Sequence, residues 1–182
     1  MLEQHHCGLI IIDVQGQLAR LMHARDDLFR QIEFLIRGCQ LLELPILWLE
    51  QNPAGLGETI PEIKGLLDQH TPISKTSFSG CGEDAFNQAV QASQRNQWLV
   101  CGIEAHICVY QTVRDLIAQG YYVECVSDAI GSRSPENKEL ALRRMQTLGA
   151  IETSVEMSLY ELLKDSRAKQ FKALLQLVKQ YT

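Results

Sequence analysis

Short, almost wholly apolar runs alternate along this chain with longer stretches of helical period, and that alternation constrains the fold more than any other feature. Leu9-Ile10-Ile11-Ile12-Asp13-Val14, Ile46-Leu47-Trp48-Leu49 and Gln97-Trp98-Leu99-Val100-Cys101-Gly102 are too apolar to be half-exposed strands, so each reads as a strand buried on both faces. Ile73-Ser74-Lys75, Tyr121 to Val126 and Ile151-Glu152-Thr153 add three further strands, the fifth closed by Ser127-Asp128-Ala129. Between them, helical spacing predicts helices over 26–44, 83–91, 108–118, 135–148 and 155–163. Pro45 ends the first of these, and Ser134-Pro135 supplies a serine cap followed by proline in the first turn of the fourth. The order predicts an α/β fold: a three-layer αβα sandwich with a mostly parallel six-stranded sheet.

A chain of 182 residues fits one domain, 1–182, with a C-terminal helix over 167–180 whose stripe Phe171, Leu174, Leu175 and Val178 packs inward or meets a partner. The formal charge of −5 and the lack of any basic run longer than Arg143-Arg144 argue against nucleic acid or an anionic membrane surface. No stretch is long and apolar enough for a span, and the first residues lack a signal-peptide layout, so the expected location is cytoplasmic and the expected partner a small molecule. Six cysteines without a CxxC pair read as reduced thiols.

In parallel sheets the ligand crevice lies beyond the carboxyl ends of the strands, where Asp13, Lys75, Gly102 and Asp128 fall. Cys108 opens a helix after a buried strand and a turn, Ile103 to Ile107. A helix start favours thiolate, yet an ordinary thiol with a pKa near 8.5 needs a cation as well before thiolate dominates at pH 7. Two readings of each residue stand on the sequence alone. Cys108 is packing or nucleophile, Lys75 is surface solvation or a charge anchor, and Asp13 caps a loop or acts as a general base. His106, two residues from Cys108, is poorly aimed at it and is expected to line the pocket. No HExxH, paired Cys/His spacing, G-x-G-x-x-G or P-loop is present, so neither a metal nor a cofactor is expected.

Ile11-Ile12-Asp13-Val14-Gln15, Lys75-Thr76-Ser77-Phe78-Ser79, the run from Val100 to Val109 and Val126-Ser127-Asp128-Ala129 together resemble the isochorismatase-like cysteine hydrolase superfamily. The resemblance spans residues 8 to about 163 and implies a Rossmann-like sandwich with strand order 3-2-1-4-5-6, usually in homo-oligomers. By position it makes Asp13 the base, Lys75 the charge-stabilising lysine and Cys108 the nucleophile. It also implies a non-proline cis peptide joining Ile103 to Glu104, which aims the Glu104 N–H, with that of Cys108, at an oxyanion. Gln15, Gln51, Phe78 and His106 are the expected pocket residues.

Nicotinamidases of this superfamily carry an Asp-x-His metal motif after the second strand. This chain has Leu49-Glu50-Gln51-Asn52-Pro53 there, which looks closest to the isochorismatase domain-containing subgroup. The resemblance implies a metal-independent hydrolase that opens a small amide or carbamoyl group through a thioester. The alternatives are a binding or scaffolding protein with a vestigial site, and a thiol redox sensor acting through Cys108.

Overall fold

Successive side chains of β1 (Cys7–Ile12) point to opposite faces, and both faces are apolar. Leu9 and Ile11 enter one core, Ile10 and Ile12 the other. The computed structural model describes residues 1–181, and these place β1 between β2 (Ile46–Gln51) and β4 (Gln97–Gly102). With β3 (Ile73–Lys75), β5 (Tyr122–Ile130) and β6 (Ile151–Thr153) they form a six-stranded sheet of order β3-β2-β1-β4-β5-β6. Every paired strand is parallel, as buried, non-alternating strands require.

Helices cover both faces. The first core holds α2 (Arg25–Leu41), α8 (Val155–Leu163) and α9 (Phe171–Tyr181); the second holds α5 (Asp84–Ala92), α6 (Tyr110–Ala118) and α7 (Pro135–Thr147). The short helices α1 (Gly16–Arg20), α3 (Pro53–Leu56) and α4 (Pro61–Lys64) lie in the connections around β2. α9 buries Leu174 and Val178, packs Phe171 against the same core and stacks Tyr181 on Phe34 of α2; residues 167–170 precede it rather than belonging to it. No helix among the described residues is long and apolar enough to cross a membrane.

Three local expectations need correction. β5 continues past Val126 to Ile130, because a register shift between Val100 and Gly102 lets it keep pairing with β4. Asp128 is therefore no turn residue: its carboxylate accepts the Val155 N–H at 3.0 Å and caps α8 from a strand. The turn expected over 103–107 is already helical from Ala105, as a π-helical turn (Ala105–Val109) that runs into α6. α2 stops at Leu41, before Pro45 acts, with Glu43 in the left-handed region at φ 55°.

Candidate active site

Sheet order reverses beside β1, and the crevice that opens there collects residues from the ends of three strands. Asp13 leaves β1 in the left-handed region, φ 53°, which a short polar side chain tolerates. Its N–H donates to the Leu49 carbonyl at 3.2 Å, so β2 holds it in place. Gly102 ends β4 at φ 117°, where a Cβ would come within 2.1 Å of the Ile12 carbonyl oxygen. Only glycine lets the two central strands close up at this point.

Beyond Gly102 the Ile103–Glu104 peptide is cis. The Ile103 N–H donates to the Ile12 carbonyl at 2.9 Å and the Ala105 N–H to the Gly131 carbonyl at 2.8 Å, which pins the turn to β1 and to the end of β5. Glu104 is buried, and its Oε1 accepts from the Arg133 backbone N–H at 3.2 Å and from Arg133 Nε at 3.1 Å. Thr112 of α6 donates its hydroxyl to the Cys108 carbonyl at 2.7 Å and accepts the Gly80 N–H at 2.9 Å. The segment after Lys75 is thereby tied to the helix that carries Cys108.

Lys75 reaches the same crevice from β3. Its Nζ donates to Asp13 Oδ2 at 2.7 Å, to Gln51 Oε1 at 2.6 Å and to the Phe78 carbonyl at 3.1 Å, with the Ser77 carbonyl at 3.3 Å. An ammonium has three protons, so these acceptors saturate it. Glu83 orders the loop that supplies them, accepting the Thr76 and Ser77 N–H groups at 2.8 and 3.1 Å.

Asp13 Oδ1 is buried with no hydrogen-bond partner at ordinary distance among the described residues. Burial pushes the Asp13 carboxyl up, against the pull of Lys75 and of the Cys108 thiol. Burial, then the Asp13 charge, push the Cys108 thiol up to about 12, with Lys75 pulling the other way. The sulfur sits beside the Asp13 carboxylate.

A cleft of about 90 Å³ opens onto Asp13 and Cys108, with Gln51, Glu104 and Ile103 in its walls. Its remaining lining is apolar: Leu18, Leu56, Phe78 and Ile107. Of the four expected pocket residues, Gln51 and Phe78 line it. Gln15 does not, because it is fully buried behind the cleft, where its Oε1 accepts the Gln51 N–H at 2.6 Å and its Nε2 donates to the Gly57 carbonyl at 2.7 Å. His106 does not either: its Nδ1 pairs with Ser132 Oγ at 3.0 Å and it lines a separate cavity with Tyr110 and Arg144. Leu18, Leu56 and Ile107 were not foreseen as lining. Leu56, held between Gly55 and Gly57, is the one whose surroundings signal an apolar residue presented on a tight loop.

Among the described residues no group of three or more His, Cys, Asp or Glu side chains is placed to hold a metal ion. After β2, the Gln51 amide is engaged at both ends, by Lys75 at Oε1 and through Nε2 to the Thr76 carbonyl at 2.8 Å. These residues do not fit the metal of the Asp-x-His members.

The isochorismatase domain family matches residues 7–157 of this chain. Isochorismatase domain-containing protein 2 of Pongo abelii is 38% identical over 149 residues, 80% of this chain and 70% of the relative. Among solved structures, one described as MAR1 ribonuclease from Caenorhabditis elegans is similar with a TM-score of 0.92 at 32% identity, over 98% of this chain and 92% of the other. YcaC of Escherichia coli, described as an octameric hydrolase of unknown specificity, has a TM-score of 0.94 at 22% identity, over 99% and 90% of the two chains. At that identity the likeness speaks for the fold alone.

Proposed function

Because the chain belongs to the isochorismatase family, we propose that its cleft is the site of a cysteine hydrolase acting on a small amide or carbamoyl group. The observation that carries this reading is that Asp13 and Cys108 face one small opening while Lys75 pairs with Asp13 behind it. Cys108 Sγ attacks the carbonyl carbon while its proton passes to Asp13, and the Glu104 and Cys108 N–H groups receive the oxyanion. The C–N bond then breaks as Asp13 returns the proton to the leaving nitrogen, which departs as ammonia or an amine. Water attacks the thioester, Asp13 takes its proton, and the C–S bond breaks with the proton restored to sulfur as the acid leaves. Lys75 stays charged throughout and keeps Asp13 oriented.

No step uses a metal or cofactor. A net charge of −5 and a cleft of about 90 Å³ speak against an RNA substrate, whatever the Caenorhabditis relative acts on. Six unpaired cysteines favour the cytoplasm as the working compartment. On this reading the chain works as a homo-oligomer, as the family resemblance implies, and light scattering on the purified protein tests that part.

The test of the chemistry pairs wild type with Cys108→Ala on a panel of small amides and activated esters, with ammonia or acid release and intact mass as readouts. The expected result is turnover and a quenchable acyl adduct on Cys108 in wild type, and neither in the variant. Undiminished hydrolysis by Cys108→Ala would overturn the reading.

A further inference from the structure

We infer, resting on that hydrolase reading, that the substrate is an uncharged amide with a short aliphatic acyl group, and that amides bearing a second charge are rejected. Apart from the Asp13 and Glu104 carboxylates and the Cys108 thiol, the polar side chains at the cleft are already engaged. Lys75 spends its protons on Asp13, Gln51 and the Phe78 carbonyl. Gln51 is bound at both ends. Glu104 Oε1 receives two bonds from Arg133, whose side chain is half exposed and not part of the cleft wall. The only ionisable carboxylates in the lining are Asp13 and Glu104, and no cation lines it among the described residues.

What remains for the acyl tail is Leu18, Leu56, Phe78, Ile103 and Ile107. A carboxylate placed among them would lose its water and find no partner, beside two carboxylates of its own sign. An ammonium tail would share Glu104 with Arg133 and would still lose its water against aliphatic groups. Size narrows the choice further. A dry cavity of about 150 Å³ encloses benzene, and this cleft, open on one side, measures about 90 Å³. The volume suits a three- or four-carbon acyl group better than an aryl group.

The experiment compares kcat/KM of the wild-type enzyme on propionamide and isobutyramide with succinamate, β-alaninamide and benzamide, reading ammonia release. The neutral aliphatic pair should exceed both charged amides about a hundredfold or more, and benzamide should also fall below it. Equal or better turnover of succinamate, β-alaninamide or benzamide would overturn the inference while leaving the hydrolase reading intact. The p-nitrophenyl esters of propionic acid and of succinic acid, followed by mass analysis of Cys108, keep the two separate. Labelling of Cys108 by the neutral ester alone supports both, labelling by the succinyl ester as fast overturns the inference alone, and labelling by neither ends both. Leu56→Lys, at an exposed rim position, should raise the succinamate-to-propionamide ratio about tenfold by supplying the missing cation. An unchanged ratio would overturn the placement of the tail.

Discussion

Lys75 Nζ and Asp13 Oδ2 meet at 2.7 Å across 62 residues of sequence, with 0% and 2% of their side chains exposed. A pair this dry is costly to split, because either partner left alone is a buried, uncompensated charge. Lys75→Met should lower unfolding free energy by about 3 to 5 kcal/mol and abolish turnover, read by urea denaturation and amide hydrolysis. Adding Asp13→Asn to it should recover part of the stability, since no charge is then stranded, and none of the activity. Full activity in either variant would remove the pair from the mechanism.

Cys108 is predicted to behave as a thiol, not as a thiolate. With its pKa pushed up to about 12, its thiolate fraction rises about tenfold with each pH unit throughout the working range. Iodoacetamide labelling of Cys108, followed by peptide mapping from pH 6 to 9, should therefore climb without a plateau. Cys81, more exposed and pushed up only to about 11, should label in competition. A plateau for Cys108 below pH 8 would mean that the helix start and Lys75 do stabilise the resting thiolate.

How much of this was legible in the sequence depends on how local the cause is. β1 and β4 could be read because a strand buried on both faces needs nothing but apolar residues, and Ser134 could be read as a cap because its Oγ accepts an N–H only three residues on, that of Asn137 at 3.3 Å. Strand ends mark Asp13 and Lys75, a helix start marks Cys108 and the resemblance marks all three, although their convergence depends on sheet order, which no short window contains. Ser127-Asp128 looked like a turn because polarity there ordinarily ends a strand. In the fold the Asp128 carboxylate serves α8, a partner 27 residues away. α1 is five residues long, too short to show a period. The same reason hid the true place of Gln15, whose partners lie 36 and 42 residues further on.

Gln15 carries the loop that walls the cleft. One fully buried amide accepts the Gln51 N–H and donates to the Gln51 and Gly57 carbonyls at 3.1 and 2.7 Å. Gln15→Leu removes all three of these bonds to backbone groups and should cost about 3 kcal/mol. Amide exchange at Gln51 should accelerate, and KM should rise as Leu56 loses its fixed position. Unaltered protection at Gln51 would show that the loop holds itself.

Far from the cleft, Glu124 is 2% exposed and accepts the Tyr122 hydroxyl at 2.8 Å. Burial raises its pKa above the ordinary 4.5; the Tyr122 bond pulls it down and Glu161 pushes it up. The folded chain therefore holds this proton more tightly than the unfolded chain does. The stabilisation it provides is complete below the ordinary carboxylate value and is lost as pH climbs through the raised one. Glu124→Gln keeps an acceptor for Tyr122 but cannot titrate, so its stability relative to wild type should improve between pH 4 and pH 8. Paired urea titrations at the two pH values measure the difference. A constant offset across that range would mean that Glu124 titrates alike in the folded and unfolded chains, with its burial compensated by Tyr122.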